Sequence, residues 1–289
     1  MTVGQRPTVQ RRRLRTELRQ RREAAGLTQD QVASKMDWSV SKLVRIEAGA
    51  VGISTNDLRA LLDLYGVRDR AEVDDLLDLA RRSRQRAWWA GYKGILSPSY
   101  LEFIGLEADA STIRYFHPTI VPALLQTEAY ARAIISGGGT RILEPADVDT
   151  YVEIRMTRIR EALDRPAPPE LVVVLDEAAI RRHVGGKGVM RQQLQHLIAL
   201  AARPHVRLGV LPFTAGVHPG LYGSFALFGF TEPDADVVLY LEHAPGAMIL
   251  RDRPGEVAEY ESAFERILNS SLGPEQTVAL LTEVADSLA

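Results

Sequence analysis

Residues 28–48 read TQDQVASKMDWSVSKLVRIEA, the pattern of a short helix, a tight turn and a second short helix. Leu27, Val32, Ala33, Met36, Leu43, Val44 and Ile46 recur at spacings that let two crossed helices share a small core. Thr28 followed by Gln31 fits a capping box, so the first helix is expected to begin at Thr28. Asp37 and Ser39 both suit the N-cap of the second helix, which is expected over Val40 to Ala48 with Gly49 as its stop. Ala33 is small where the helices should cross. The second helix then offers Ser41, Lys42 and Arg45 on one face, the way a helix-turn-helix presents side chains to the DNA major groove. Lys42 and Arg45 suit guanine edges or phosphates and Ser41 suits either. Gln29 can reach a phosphate through its amide or its backbone N–H. Any one of these residues alone is as well explained as ordinary helix surface; the ensemble points to DNA.

The flanks extend the pattern. Leu14 to Ala25, LRTELRQRREAA, reads as an arginine-rich helix, and Ser54 to Leu64 reads as another, with Ser54 and Asp57 as its start signal. The pair therefore belongs to a bundle of four or five helices. Residues 14–66, through LRQRREAAGLTQDQVA and WSVSKLVRIEAG, resemble the helix-turn-helix domain of the lambda-repressor, Cro and XRE family. That resemblance implies Gln29, Ser39, Ser41, Lys42 and Arg45 as DNA contacts.

Composition bounds the rest. A chain of 289 residues allows two domains, and 46% apolar with 25% charged residues is that of an ordinary globular protein. With no cysteine, disulfides, thiolate catalysis and cysteine-based zinc sites are excluded. No bilayer-length apolar run and no secretory signal are apparent, so a cytoplasmic, nucleoid-associated location is expected. Residues 1–93 hold 19 Lys and Arg against 12 Asp and Glu, a net of +7, and the remainder is −9. A basic head on an acidic body is the asymmetry expected when one domain meets phosphate. Arg11, Arg12, Arg13, Arg15, Arg19, Arg21 and Arg22 supply much of that excess.

The expected organisation is a flexible basic tail over 1–13, a helix-turn-helix domain over 14–68, a connecting helix over 69–94 and a second domain over 95–289. Arg70 to Trp89 reads as one helix, with Trp88 and Trp89 as core or interface anchors rather than base-stacking platforms. In the second domain, Pro98–Ala110, Gln126–Ile135, Pro145–Leu163, Val189–Ala202, Glu256–Asn269 and Pro274–Leu288 look helical. Residues 113–121, 171–175, 206–211, 224–230, 237–242 and 248–250 look extended. The fold class expected is an all-α helix-turn-helix domain joined to an α+β domain with a mostly antiparallel or mixed sheet. The phrases VPALLQTEAYARA, DRPAPPELVVVLDEAAIRR, VRLGVLPFTAGVHPGLYGSF and VVLYLE resemble the C-terminal domain of actinobacterial WhiJ-like regulators, also described as antitoxin-like. That resemblance implies a small acidic partner protein bound to the body.

No catalytic motif stands out, so the chain is read as a non-enzyme without metal or cofactor. Gly137, Gly138 and Gly139 follow a helix and read as a stop. Gly185 to Gly188, GGKG, reads as a turn or an anion-binding helix start. Asp176 and Glu177 at a strand end suit either catalysis or helix capping. The six histidines share no metal-ligand spacing. The loop Pro212 to Gly223, PFTAGVHPGLYG, is unusually rich in glycine and proline, and Phe213, His218 and Tyr222 there are candidates for a ligand or partner site. The function expected is a sequence-specific transcription regulator, a homodimer on double-stranded operator DNA, whose body dimerises and senses a small molecule or small partner protein. The alternatives are an antitoxin-like protein that sequesters its partner and autoregulates, and a DNA-tethered enzyme.

Overall fold

The computed structural model describes residues 7–49, 51–83, 87–137, 143–231, 237–242, 248–251 and 254–289. The chain forms two compact units, Met1–Asp109 and Ala110–Ala289.

The first unit is helical: α1 (Pro7–Ala24), α2 (Gln29–Lys35), α3 (Val40–Glu47), α4 (Thr55–Leu64), α5 (Arg70–Ser83) and α6 (Pro98–Asp109). Its core gathers Leu14 and Leu18 of α1, Val32 of α2, Leu43 and Ile46 of α3, Leu58, Leu61 and Leu62 of α4, and Leu76, Leu77 and Ala80 of α5. Four departures from the sequence reading have physical causes. The tail expected to be flexible is helical from Pro7, because the Asp109 carboxylate accepts the otherwise orphaned N–H groups of Thr8 (2.7 Å) and Val9 (2.8 Å). The segment expected to connect two domains is core, since α5 buries its leucine face in this bundle. Its described span is Arg70–Ser83, and Trp88–Tyr92, expected within the same helix or just after it, form a 3-10 turn with Trp88 edge-on to Trp89, centroids 5.7 Å apart. Finally, α6 packs on α1, with Gly105 so close to Thr8 that an added Cβ would lie 2.1 Å from its Oγ1. The compact first unit thus runs to Asp109.

The second unit contains β1 (Thr112–His117), α7 (Glu128–Gly137), α8 (Pro145–Leu163), β2 (Glu170–Asp176), α9 (Glu177–Arg181), α10 (Lys187–Ala201), β3 (Val206–Leu211), β4 (Phe225–Gly229), β5 (Val238–Glu242), β6 (Met248–Arg251), α11 (Pro254–Ser270) and α12 (Pro274–Asp286). The sheet is mixed, in the order β3-β2-β1-β4-β5-β6. β1, β2 and β3 are parallel, and β4, β5 and β6 continue from β1 antiparallel. Long helical crossovers make the parallel half and short connections make the antiparallel half, as strand geometry requires. On one face, Phe116, Val174, Phe225, Leu227 and Leu239 pack against Val257, Phe264 and Ile267 of α11. Gly138 and Gly139, two of the three glycines read as a helix stop, lie outside the described residues. Among the described residues no helix is long and apolar enough to cross a membrane.

Candidate nucleic-acid interface

Local hydrogen bonds set the helix pair as its sequence dictates. The Thr28 Oγ1 accepts from the Gln31 N–H (3.2 Å) and the Gln31 Oε1 accepts from the Thr28 N–H (2.9 Å), closing the capping box. Of the two N-cap candidates for α3 it is Ser39 that serves, its Oγ accepting from the Lys42 N–H at 3.2 Å. Asp37 instead takes the left-handed turn between the helices, φ +54°, a conformation that aspartate tolerates better than most residues. Gly49, φ +73°, follows α3 directly after its C-cap, Ala48.

A buried ion pair fixes where α3 lies. The Arg22 guanidinium of α1 donates Nε to Glu47 Oε1 (2.7 Å) and Nη2 to Oε2 (3.2 Å), and its Nη1 donates to the Leu27 carbonyl (2.9 Å). The hydrogen bond to Glu47, outweighing burial, holds the guanidinium above its ordinary value. Gln29 Nε2 donates to the same Glu47 Oε2 at 2.8 Å. Three helices are thereby tied at one carboxylate. Tyr65 packs beside it, and burial pushes its phenol well up.

The outward face of α3 carries Val40, Ser41, Val44 and Arg45, all exposed. The Arg45 side chain makes no hydrogen bond or ion pair among the described residues, while its carbonyl accepts from the Val51 N–H at 3.3 Å. Val44, expected in the core, is 40% exposed. It stands about 100° from Leu43 and 200° from Ile46 around the helix, so it points away when those two point in. That offset was readable in the sequence, and the residue type alone misled.

The remaining nominated residues are placed differently. The Gln29 amide is committed to Glu47, although its backbone N–H, at the first position of α2, has no partner within that helix. Ser39 is exposed and caps α3. The Lys42 ammonium lies 3.2 Å from Asp57 Oδ2 and 3.8 Å above the Trp38 ring. The arginines of α1 are largely occupied at home. Arg11 donates to the Ser83 carbonyl, Arg15 approaches Glu102 and the Ala48 carbonyl, Arg19 pairs with Glu23, and Arg21 pairs with Glu17 and Glu72. The basic excess of the head is thus in large part intramolecular wiring.

Residues 13–76 match a helix-turn-helix domain, and residues 100–283 match a domain of unknown function, DUF5753. The chain belongs to the DUF5753 family. Its helix-turn-helix makes this DUF5753 protein a DNA-binding regulator of XRE-like type. No curated protein matches the chain, and no solved structure does.

In the DUF5753 region the loop over 212–223 lies beyond the carboxyl ends of β2 and β3. Glu177 accepts the Phe213 N–H at 2.8 Å with one oxygen and the Arg181 Nε at 2.6 Å with the other. Asp176 caps α9 through the Ala178 N–H (2.8 Å), and its other oxygen lies 3.5 Å from His218 Nε2. His218 is itself packed edge-on to Phe116, centroids 5.7 Å apart. The two acidic residues and His218 therefore anchor the loop. Phe213 and Tyr222 are exposed while the His218 ring is buried, so the three nominated residues do not share one surface. What the loop does present is apolar: Phe213, Val217, Leu221 and Tyr222. Val217 and Leu221 were missed because single apolar residues in a loop carry no periodicity.

Proposed function

We propose that the chain is a sequence-specific transcription regulator that sets α3 in the major groove. The observation that carries this is the outward face of α3, where Ser41 and Arg45, whose side chain has no partner among the described residues, stand clear of the core. Arg45 and Ser41 read base edges. Ser39 and the Gln29 backbone N–H hold phosphates beside the groove, and Lys42 reaches phosphate only by leaving Asp57. A single such module makes few base contacts, so the protein binds as a homodimer on a two-fold site with half-sites about 34–36 Å apart. The DUF5753 region receives the signal, a small molecule or a small partner protein, and the apolar loop 213–222 favours the protein. An antitoxin-like mode, in which partner capture releases DNA, follows from the same surface.

Selection of bound duplexes from a random pool by the full chain tests the reading. A two-fold symmetric consensus is expected, with affinity that falls steeply as salt rises. Arg45→Ala should cost about 1–3 kcal/mol and relax preference at one base pair. Recovery of no preferred sequence overturns the proposal, whereas equal weakening on all sequences moves Arg45 to a phosphate. Replacing Phe213 and Tyr222 by serine should abolish partner capture while DNA affinity is unchanged.

A further inference from the structure

Single exposed apolar side chains are ordinary, but adjacent ones make a patch, and among the described residues two stand side by side on α3. Val40 and Val44 are 39% and 40% exposed, one helical turn apart, beside the polar row of Ser41 and Arg45. The inward positions, Leu43 and Ile46, already fill the core. Neither valine belongs to the core cluster of the described residues. β-branched residues are also poorer helix formers than alanine, so local helix stability does not ask for them either.

We infer that Val40 and Val44 read the 5-methyl groups of thymines in the operator. The inference rests on the proposal that α3 enters the major groove. There, thymine alone among the four bases presents a methyl, and an apolar side chain is its natural complement. Four residues of helix rise about 6 Å. Successive bases on a strand rise about 3.4 Å. The valines therefore meet methyls one or two base steps apart. Ser41 and Arg45, on the adjoining row, address hydrogen-bonding edges in the same stretch. The half-site so described pairs one or two thymine methyls with a guanine edge for Arg45.

Exchange of each operator thymine in turn for deoxyuridine tests this, because the pair keeps every hydrogen-bonding group and loses only the methyl. The protein is untouched, so folding does not enter. Starting from the consensus that the full chain selects, one or two thymines per half-site should lose affinity about four-fold on exchange, the worth of burying one methyl-sized group. The Val40→Ala/Val44→Ala variant, altered only at exposed positions, should bind thymine and deoxyuridine duplexes equally there. A preferred sequence whose affinity no exchange changes overturns the inference and leaves the transcription-regulator reading intact. Full methyl discrimination by the double variant also overturns it. A pool that yields no preferred sequence overturns both.

Discussion

Loss of the Arg22 charge should strongly destabilise the head. The Arg22 and Glu47 side chains are only 11% and 5% exposed. In Arg22→Met the apolar stem is kept, but among the described residues the Glu47 carboxylate retains only the Gln29 amide as a hydrogen-bonding partner. The Leu27 carbonyl also loses a donor. Breaking a buried pair by removing one member costs about 3–5 kcal/mol, chiefly the burial of the charge left behind. A unit of this size has about 5–15 kcal/mol in total. With a urea dependence of about 2 kcal/mol per molar, the midpoint should fall by about 2 M. The assay is selective, because all three tryptophans, Trp38, Trp88 and Trp89, lie in the first compact unit. Their emission follows that unit and not the second. In Arg22→Met/Glu47→Leu both charges leave together, and most of the loss should be recovered. A single variant whose midpoint stays within about 0.3 M of the parent, on the same scale, refutes the argument that this pair holds α1, α2 and α3 in place.

Other substitutions probe the remaining assignments. Asp57→Asn should release Lys42 from its 3.2 Å contact, tighten DNA binding at low salt and steepen the salt slope by about one. An unchanged slope in an anisotropy titration means that the freed ammonium does not face phosphate. Gly220→Ala would place a Cβ 2.1 Å from Phe116 Cε1, and should destabilise the second unit by about 1–3 kcal/mol in a thermal melt while DNA binding persists. A melt like the parent's means the loop shifts freely. Burial, and next the Arg203 charge, hold His196 below its ordinary value. The unfolded chain then takes the proton first as pH falls, so stability present at neutral pH is lost below about pH 6.5. His196→Gln should flatten the decline in melting temperature between pH 7 and pH 5, and an undiminished decline excludes His196 as its source.

Much of this protein is written locally. Thr28 with Gln31, Ser39 ahead of Val40 and Ser54 with Asp57 each close a helix start through contacts three residues apart, which a linear reading can see. The strand β2, LVVVL within Glu170–Asp176, is as legible, since a short unbroken aliphatic run centred on three β-branched valines favours a buried strand. The boundary between the units was not legible, because it depends on Asp109 reaching back a hundred residues to cap α1. Nor was the state of the charges. A count of arginines records an electrostatic excess, while the partners Ser83, Glu72 and Glu47 lie on other helices.

The candidate site divides along the same line. The sequence alone determined that α2 and α3 form a helix-turn-helix and that Ser41 and Arg45 share a face, because both follow from helical period and capping. Only the tertiary structure decided which nominated cation is available and what His218 does. Lys42 lies against Asp57 of α4 and over the Trp38 ring just ahead of α3, whereas Arg45, three residues on, has no such side-chain partner among the described residues. His218 is folded under its loop against Phe116 and Asp176, so that Val217 and Tyr222 stand out beside it. Period and composition fix which residue types share an element's face. Which of those groups finds a partner depends on residues far along the chain that the fold brings within a few ångströms.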